Sequence, residues 1–151
     1  VTSANAKALA VAVPIITHFE GFIAHPYLCP NNVPTIGYGT TFYPNGARVT
    51  LRDSVITEVY ARNLLIGHIE HDLLPAVLKL CPGADTPERI GALVSFAYNL
   101  GVAALAGSTL RKRVNARDWP AARAECMRWV KSGGVTLRGL VRRRQAEAAL
   151  L

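Results

Sequence analysis

The sequence predicts an α+β fold in which a small antiparallel sheet is set among helices. Three observations carry that expectation. Residues of about 22 to 50 hold Pro26, Pro30, Asn31, Asn32, Pro34, Gly37, Gly39, Pro44 and Gly46, with aromatic and β-branched residues between them. Such punctuation breaks helices and favours short strands joined by turns. From Thr57 onward, apolar residues recur mainly by threes and fours, as one buried helix face requires. Half of the 151 residues are hydrophobic (50%) and 18% are charged, enough for a sizeable core and too apolar a balance for disorder.

Each element has its own local reason. Residues Ala8 to Val13 are an unbroken run of small apolar residues behind Lys7, and they read as a buried N-terminal helix. The rival reading is the tail of an export or signal-anchor segment that starts ahead of Val1. Pro14 favours a helix start or a kink, because its ring removes a donor and crowds the preceding turn. Strands are expected near Tyr27–Leu28, Thr35 to Gly39 and Arg48 to Thr50. Thr57–Glu58 opens a long helix carrying Val59, Leu65, Ile66, Ile69, Leu73, Leu74, Val77 and Leu78, running to about Leu80 with a bend at Pro75. Thr86 caps the next helix and Pro87 takes its first position, where a missing N–H costs nothing. That helix presents Ile90, Leu93, Val94, Ala97 and Tyr98 before Gly101 stops it. Ser108 and Asp118 cap two more, and Gly133–Gly134 precedes a last, basic helix from Leu137 to Leu150. The expected organisation is a single domain over 1–151. It has a sheet lobe at about 21–56, a connecting helix at about 58–80, and a helical lobe at 81–151 that includes the N-terminal helix.

Charge narrows the partners. Lys and Arg number 17 against 10 Asp and Glu, a formal net charge of +7. That excess attracts anionic surfaces without choosing among nucleic acid, membrane and acidic polymer. Nucleic acid is set aside because no groove-reading motif, stacking platform or zinc module is visible. The basic end holds Arg111–Lys112–Arg113, Arg138 and Arg142–Arg143–Arg144. It reads as a solvated face, as a patch for an anionic envelope or membrane surface, or in part as arginines turned inward toward acidic groups near Glu20. No apolar run approaches the ~18 residues of a bilayer span, and three cysteines are too few for a disulfide scaffold. His68 and His71, beside Glu70 and Asp72, lack a well-spaced third ligand, so an exposed polar face is expected and no metal.

The chemistry candidate is Glu20, which closes the first helix within His18–Phe19–Glu20–Gly21–Phe22. A carboxyl set between aromatic rings loses hydration of its charged form and keeps a proton to donate, which glycoside cleavage requires at the leaving oxygen. Alone the signal is weak, since a Glu at a helix end is ordinarily solvated. Eight residues separate Glu20 from Cys29, and five separate Cys29 from Thr35. Thr35 opens Thr35–Ile36–Gly37–Tyr38–Gly39–Thr40–Thr41, where alternate glycines leave one strand face open to a polymer.

Glu20–Gly21, Cys29 and Pro34–Thr35–Ile36–Gly37–Tyr38–Gly39 resemble the bacteriophage-type lysozymes, or endolysins, of glycoside hydrolase family 24. Their active-site pattern is Glu, eight residues, Asp or Cys, five residues, Thr. The resemblance continues through Ala92 to Gly101, Gly107 to Leu110, Trp129 to Gly134 and Gly139 to Glu147, so it spans nearly the whole chain. It implies a lysozyme-like fold and an N-acetylmuramidase that hydrolyses the β-1,4 bond between N-acetylmuramic acid and N-acetylglucosamine. The resemblance makes Glu20 the general acid. Cys29 would stabilise the transition state, hold the water or act as nucleophile, and Thr35 would orient the water or the Cys29 group. By position it also implies substrate contacts at Thr41, Tyr98 and Thr109. It implies peptidoglycan glycan strands as partner, no cofactor, a monomer, and synthesis in a host cytoplasm with action in the periplasm.

Cys29 departs from the more familiar Asp. A neutral thiol bears no charge against an oxocarbenium-like transition state, whereas a thiolate does. In some exported relatives a Cys here is held in a disulfide until release. Two rival functions stay open. One is a lytic transglycosylase of the same fold, leaving anhydro-muramic ends. The other is a non-catalytic, cationic envelope-binding or membrane-disrupting protein. Cys81 and Cys126 read as two buried thiols, with a disulfide between them as the alternative.

Overall fold

The computed structural model describes residues 2–151. Helix α1 (Ser3–Glu20) begins where the Thr2 side chain accepts from the Asn5 N–H, and it buries Ala8, Ala12, Val13 and Ile16. It runs through Pro14 and starts well before it, so the helix start expected there is not found. Gly21, with φ of 71°, ends the helix, and its N–H donates to the Thr17 carbonyl.

Two strands follow, β1 (Ile23–Leu28) and β2 (Pro34–Gly37), paired antiparallel with Tyr27 opposite Thr35. The third strand expected at Arg48 to Thr50 does not form. Phe42 and Arg48 make a single bridge, and the Val49 N–H donates to the Thr41 carbonyl at 2.9 Å. Pro44 and Gly46 turn the chain too sharply there for a ladder to extend.

Helix α2 (Glu58–His68) is capped by Thr57. A π turn over Ile69–Leu73 continues it into α3 (Leu74–Leu80), with the Leu74 N–H donating to the Ile69 carbonyl. The irregularity expected at Pro75 is therefore this wide turn, placed just ahead of the proline. A π turn accommodates a residue that has no N–H for the preceding ladder. The Tyr38 hydroxyl donates to Glu58 Oε1 at 2.6 Å, tying the end of β2 to the start of α2.

Helix α4 (Pro87–Leu100) is the axis of the molecule, with every residue from Ile90 to Ala97 buried. It packs on α1 so closely that Gly91 faces Val11 and the Ala8 carbonyl. Around it lie α5 (Val102–Gly107), α6 (Thr109–Asn115, capped by Ser108) and α7 (Trp119–Cys126, capped by Asp118). A short hairpin, β3 (Lys131–Ser132) and β4 (Val135–Thr136), turns at Gly133–Gly134. Helix α8 (Arg138–Ala148) then returns against α4 and α1. The fold is α+β, with its core running from α1 through α4 to α3, α6 and α7.

Candidate active site

Glu20 is delivered by the last turn of α1, directly before the chain enters β1. Its side chain is 24% exposed, and its Oε1 accepts from Arg143 Nη1 at 2.6 Å. A guanidinium from α8 thus joins Phe19 beside the carboxyl, as the inward-turned reading of the terminal arginines expects. The other oxygen, Oε2, faces Gly39: a Cβ there would stand 3.4 Å from Oε2 and 3.1 Å from the Tyr98 hydroxyl. Gly39 lets the backbone past β2 approach both groups because it has φ of 85° and no side chain. The open strand face expected for a polymer is used differently at Gly37, where a Cβ would lie 2.9 Å from Ala61 Cβ of α2.

Tyr98, on α4, donates its hydroxyl to the Tyr38 carbonyl. Burial, with the Glu20 charge adding to it, pushes that hydroxyl well above the usual tyrosine range. Tyr27 of β1 is raised too, by burial and then by the charges of Glu20 and Cys29, so Tyr27 lies within electrostatic reach of both.

Cys29 follows β1 in a tight turn. Its N–H donates to the Val33 carbonyl at 3.1 Å, and its carbonyl accepts from Asn32 at 2.8 Å. Asn32 takes φ of 58°, which closes the loop. Around the sulfur the backbone amides of Val33 and Asn31 converge, and they lower the Cys29 thiol below its ordinary value, with Thr35 adding to the effect. Thr35 is 4% exposed, and its hydroxyl proton goes to the Val33 carbonyl at 2.9 Å. Cys29 and Thr35 are therefore together.

Thr41 lines two hollows. One, of about 290 Å³, is walled by Gly39, Thr40, Phe42, Leu65, His68 and Tyr98. The other runs outward past Arg48 to Arg52. A further hollow, of about 320 Å³, lies on the α8 side of Glu20, between Phe19, Asn99, Leu137 and Arg143. Thr109 stands apart, exposed at the start of α6 and outside these hollows. His68 bonds Asp72 at 2.8 Å on the exposed side of α2. Among the described residues no group of three or more His, Cys, Asp or Glu is placed to hold a metal ion.

Arg143 was legible only as one of several readings of the basic run. It is 3% exposed, and every arm of its guanidinium is engaged. Nη2 donates to the Ser95 carbonyl at 3.2 Å and to Ser95 Oγ at 3.3 Å, while Nε reaches Glu147 Oε1 at 3.3 Å. Ser95 and Glu147 lie within stretches that carry the family resemblance, but the resemblance gives neither of them a part in the site. Cys81 and Cys126 are buried and unbonded, and burial lifts their thiols to about 11 and about 12.

The chain belongs to the phage lysozyme family, whose pattern it matches over residues 17–147. It is 37% identical over 138 residues to the endolysin of Bacillus phage B103, an alignment covering 91% of this chain and 51% of that protein. To the SAR-endolysin of Escherichia phage Mu it is 32% identical over 138 residues, covering 89% of this chain and 75% of that one. Among solved structures, the endolysin from Escherichia coli O157:H7 phage FAHEc1 is similar at a TM-score of 0.82 and 32% identity, covering 99% of this chain and 92% of its own. The chain spans about half the length of the Bacillus phage relative.

Proposed function

We propose that residues 1–151 work as one catalytic unit of a phage endolysin: an N-acetylmuramidase that hydrolyses the β-1,4 bond between N-acetylmuramic acid and N-acetylglucosamine in peptidoglycan. The observation that carries this reading is the division of labour between the two Glu20 oxygens. Arginine only donates, so Oε1, which accepts from Arg143 at 2.6 Å, is held as an acceptor. Any proton on Glu20 then sits on Oε2, the oxygen turned toward Gly39 and the cleft. That is where a glycosidic oxygen must be protonated as its bond breaks.

Cys29 supplies the other half. With the Val33 and Asn31 amides favouring the thiolate, the sulfur offers negative charge to an oxocarbenium-like transition state or orients the attacking water. Thr35 holds the turn that presents it. The hollow lined by Thr41 and Tyr98 takes the glycan beside Gly39, and Thr109 would touch only substrate reaching α6. A positively charged surface draws the enzyme to an anionic envelope in the periplasm, where it acts as a monomer.

A second reading rests on the thiol standing where a carboxylate is more familiar. Glu20 alone would then drive a lytic transglycosylase, with the substrate's own hydroxyl attacking. Mass spectrometry of digested, purified peptidoglycan separates the two, with Glu20→Gln as control. Reducing-end N-acetylmuramic acid, absent from the control, is the expected result. Anhydro-muramic ends would transfer the assignment to the transglycosylase. A folded Glu20→Gln enzyme keeping more than about a tenth of the activity would remove Glu20 as the acid, because a positioned acid contributes roughly 100-fold or more.

A further inference from the structure

Behind Glu20 lies a buried ionic cluster that the reaction scheme above does not use. Arg144 and Glu147 are 0% exposed, as is Ser95. Glu147 Oε1 accepts from Ser95 Oγ at 2.7 Å, from Arg144 Nη2 at 3.0 Å and from Arg143 Nε at 3.3 Å. Arg144 Nε stands 2.8 Å from Glu147 Oε2, and Arg144 Nη2 also donates to Asn99 at 3.0 Å. Arg144 Nη1 is buried without a hydrogen-bond partner among the described residues. Two guanidiniums therefore face two carboxylates, Glu147 and Glu20.

We propose that Ser95 and Glu147 are positioning residues for Glu20: together they fix the plane of the Arg143 guanidinium and balance its charge, so that Arg143 grips one Glu20 oxygen and leaves the other free. The inference rests on Glu20 being the acid. Its physical ground is the single-oxygen contact. An arginine meeting a carboxylate ordinarily prefers the two-pronged geometry, with Nη1 and Nη2 or Nε on both oxygens. Here Nη2 is tied to Ser95 and Nε to Glu147, so only Nη1 reaches Glu20. A released guanidinium turns its second edge onto Oε2 and masks the oxygen that must carry the proton.

Charge gives the second half of the argument. With Glu147 and Glu20 both ionised, the two guanidinium charges are balanced. With Glu147 neutral, one guanidinium charge is left unbalanced next to Glu20, and Glu20 gives up its proton more readily. The remaining titratable neighbours do not replace Glu147. Tyr98 of α4 and Tyr27 of β1, both pushed upward by burial, stay neutral near Glu20. Cys126 of α7, 4.0 Å from Glu147 Oε2, is lifted to about 12 by burial and stays a thiol. His18 is exposed on the helix that carries Glu20. Cys29 stands in the turn after β1, among Asn32, Val33 and Thr35.

The test compares pH–rate profiles on purified peptidoglycan for the whole chain and for Glu147→Gln, Glu147→Asp and Ser95→Ala, with melting temperatures alongside. For Glu147→Gln, the basic limb of the profile moves to lower pH by roughly one unit, as an added unit charge a guanidinium's width away dictates. Glu147→Asp keeps the charge and brings the limb back, whatever it does to the melting temperature. Ser95→Ala moves the basic limb less than Glu147→Gln does and lowers kcat by roughly tenfold with KM unchanged, since it loosens Arg143 without altering charge. A folded Glu147→Gln enzyme whose profile superimposes on wild type overturns the proposal and makes the cluster structural only. If Glu147→Gln does not fold, wild-type kcat in both Glu147→Asp and Ser95→Ala overturns it instead. The Glu20→Gln control keeps the two failures apart. Activity surviving there removes Glu20 as the acid, while a dead Glu20→Gln enzyme beside an unmoved Glu147→Gln profile removes only the positioning role.

Discussion

Gly39→Ala probes the site through the smallest addition the chain allows. The backbone at Gly39 has φ of 85°, and an L side chain in that region costs roughly 1–2 kcal/mol. The new methyl would also stand 3.1 Å from the Tyr98 hydroxyl, tighter than normal contact. Tyr98, which donates to the Tyr38 carbonyl, must give by a few tenths of an ångström, and straining that bond costs at most about 1 kcal/mol. The combined loss of up to roughly 3 kcal/mol corresponds to a melting temperature lower by up to roughly 10 °C in a domain of this size. Activity should fall further than stability. The methyl sits 3.4 Å from Glu20 Oε2, in the space that a glycosidic oxygen would enter under the proposed mechanism, so a loss of roughly 100-fold or more is expected. Gly46→Ala is the matched control: its φ of 83° carries the same strain, but nothing lies within 4 Å of its Cβ. Thermal melts and peptidoglycan solubilisation measured on both variants decide the matter. If Gly39→Ala loses no more activity than Gly46→Ala, Oε2 is not the oxygen that meets substrate.

Three further outcomes follow from the same geometry. Cys29→Ser should lose most activity and Cys29→Asp should keep part of it, because only the Asp restores a negative charge; equal and full activity in both would make the side chain incidental. Native Cys29 should be alkylated faster than in the urea-unfolded chain at the same mildly alkaline pH, since its lowered value puts more of it in thiolate form below the ordinary titration range. Cys81 and Cys126, lifted to about 11 and about 12, should resist the reagent until unfolding, and peptide mapping of the label reads all three. Gly91→Ala should destabilise by roughly 1–3 kcal/mol while leaving kcat alone, because its Cβ would meet Val11 at 2.6 Å and the Ala8 carbonyl at 3.0 Å, far from Glu20; a melting temperature within a degree of wild type would mean that α1 and α4 are packed less tightly.

The helices were legible because their ends are written in local chemistry. Thr57, Thr86, Ser108 and Asp118 each accept from an N–H three residues on, which needs no tertiary context. The elements that differed are decided by neighbours. Arg48 to Thr50 have strand-like spacing, yet across the turn of Pro44 and Gly46 the pairing stops at one bridge, Phe42 with Arg48. Pro14 has a breaker's chemistry, but the apolar face of Ala8, Ala12, Val13 and Ile16 is buried along α4, and the helix persists through it. The hairpin at Gly133–Gly134 is only two residues long on each side, too short to leave a periodic signal.

The site divides along the same line. Glu20, Cys29 and Thr35 lie close to one another in sequence, so fixed spacing picks them out as candidates. Arg143 reaches Glu20 from 123 residues away, and no local pattern marks it. Periodicity arguments sort charged residues to the outside of a helix, because an unpaired buried charge is costly. Arg143, Arg144 and Glu147 break that rule together, and the visible trace of it is the pairing itself: a Glu four residues after one arginine and three after the next. Ser95 is the matching trace on α4, a lone hydroxyl inside a run of buried residues from Ile90 to Ala97. A polar residue at a core position of one helix, paired with an arginine–glutamate set at core positions of another, is the mark a buried network leaves in a sequence. That the network meets Glu20 is decided by tertiary folding, because the return of α8 across α1 brings Arg143 to it.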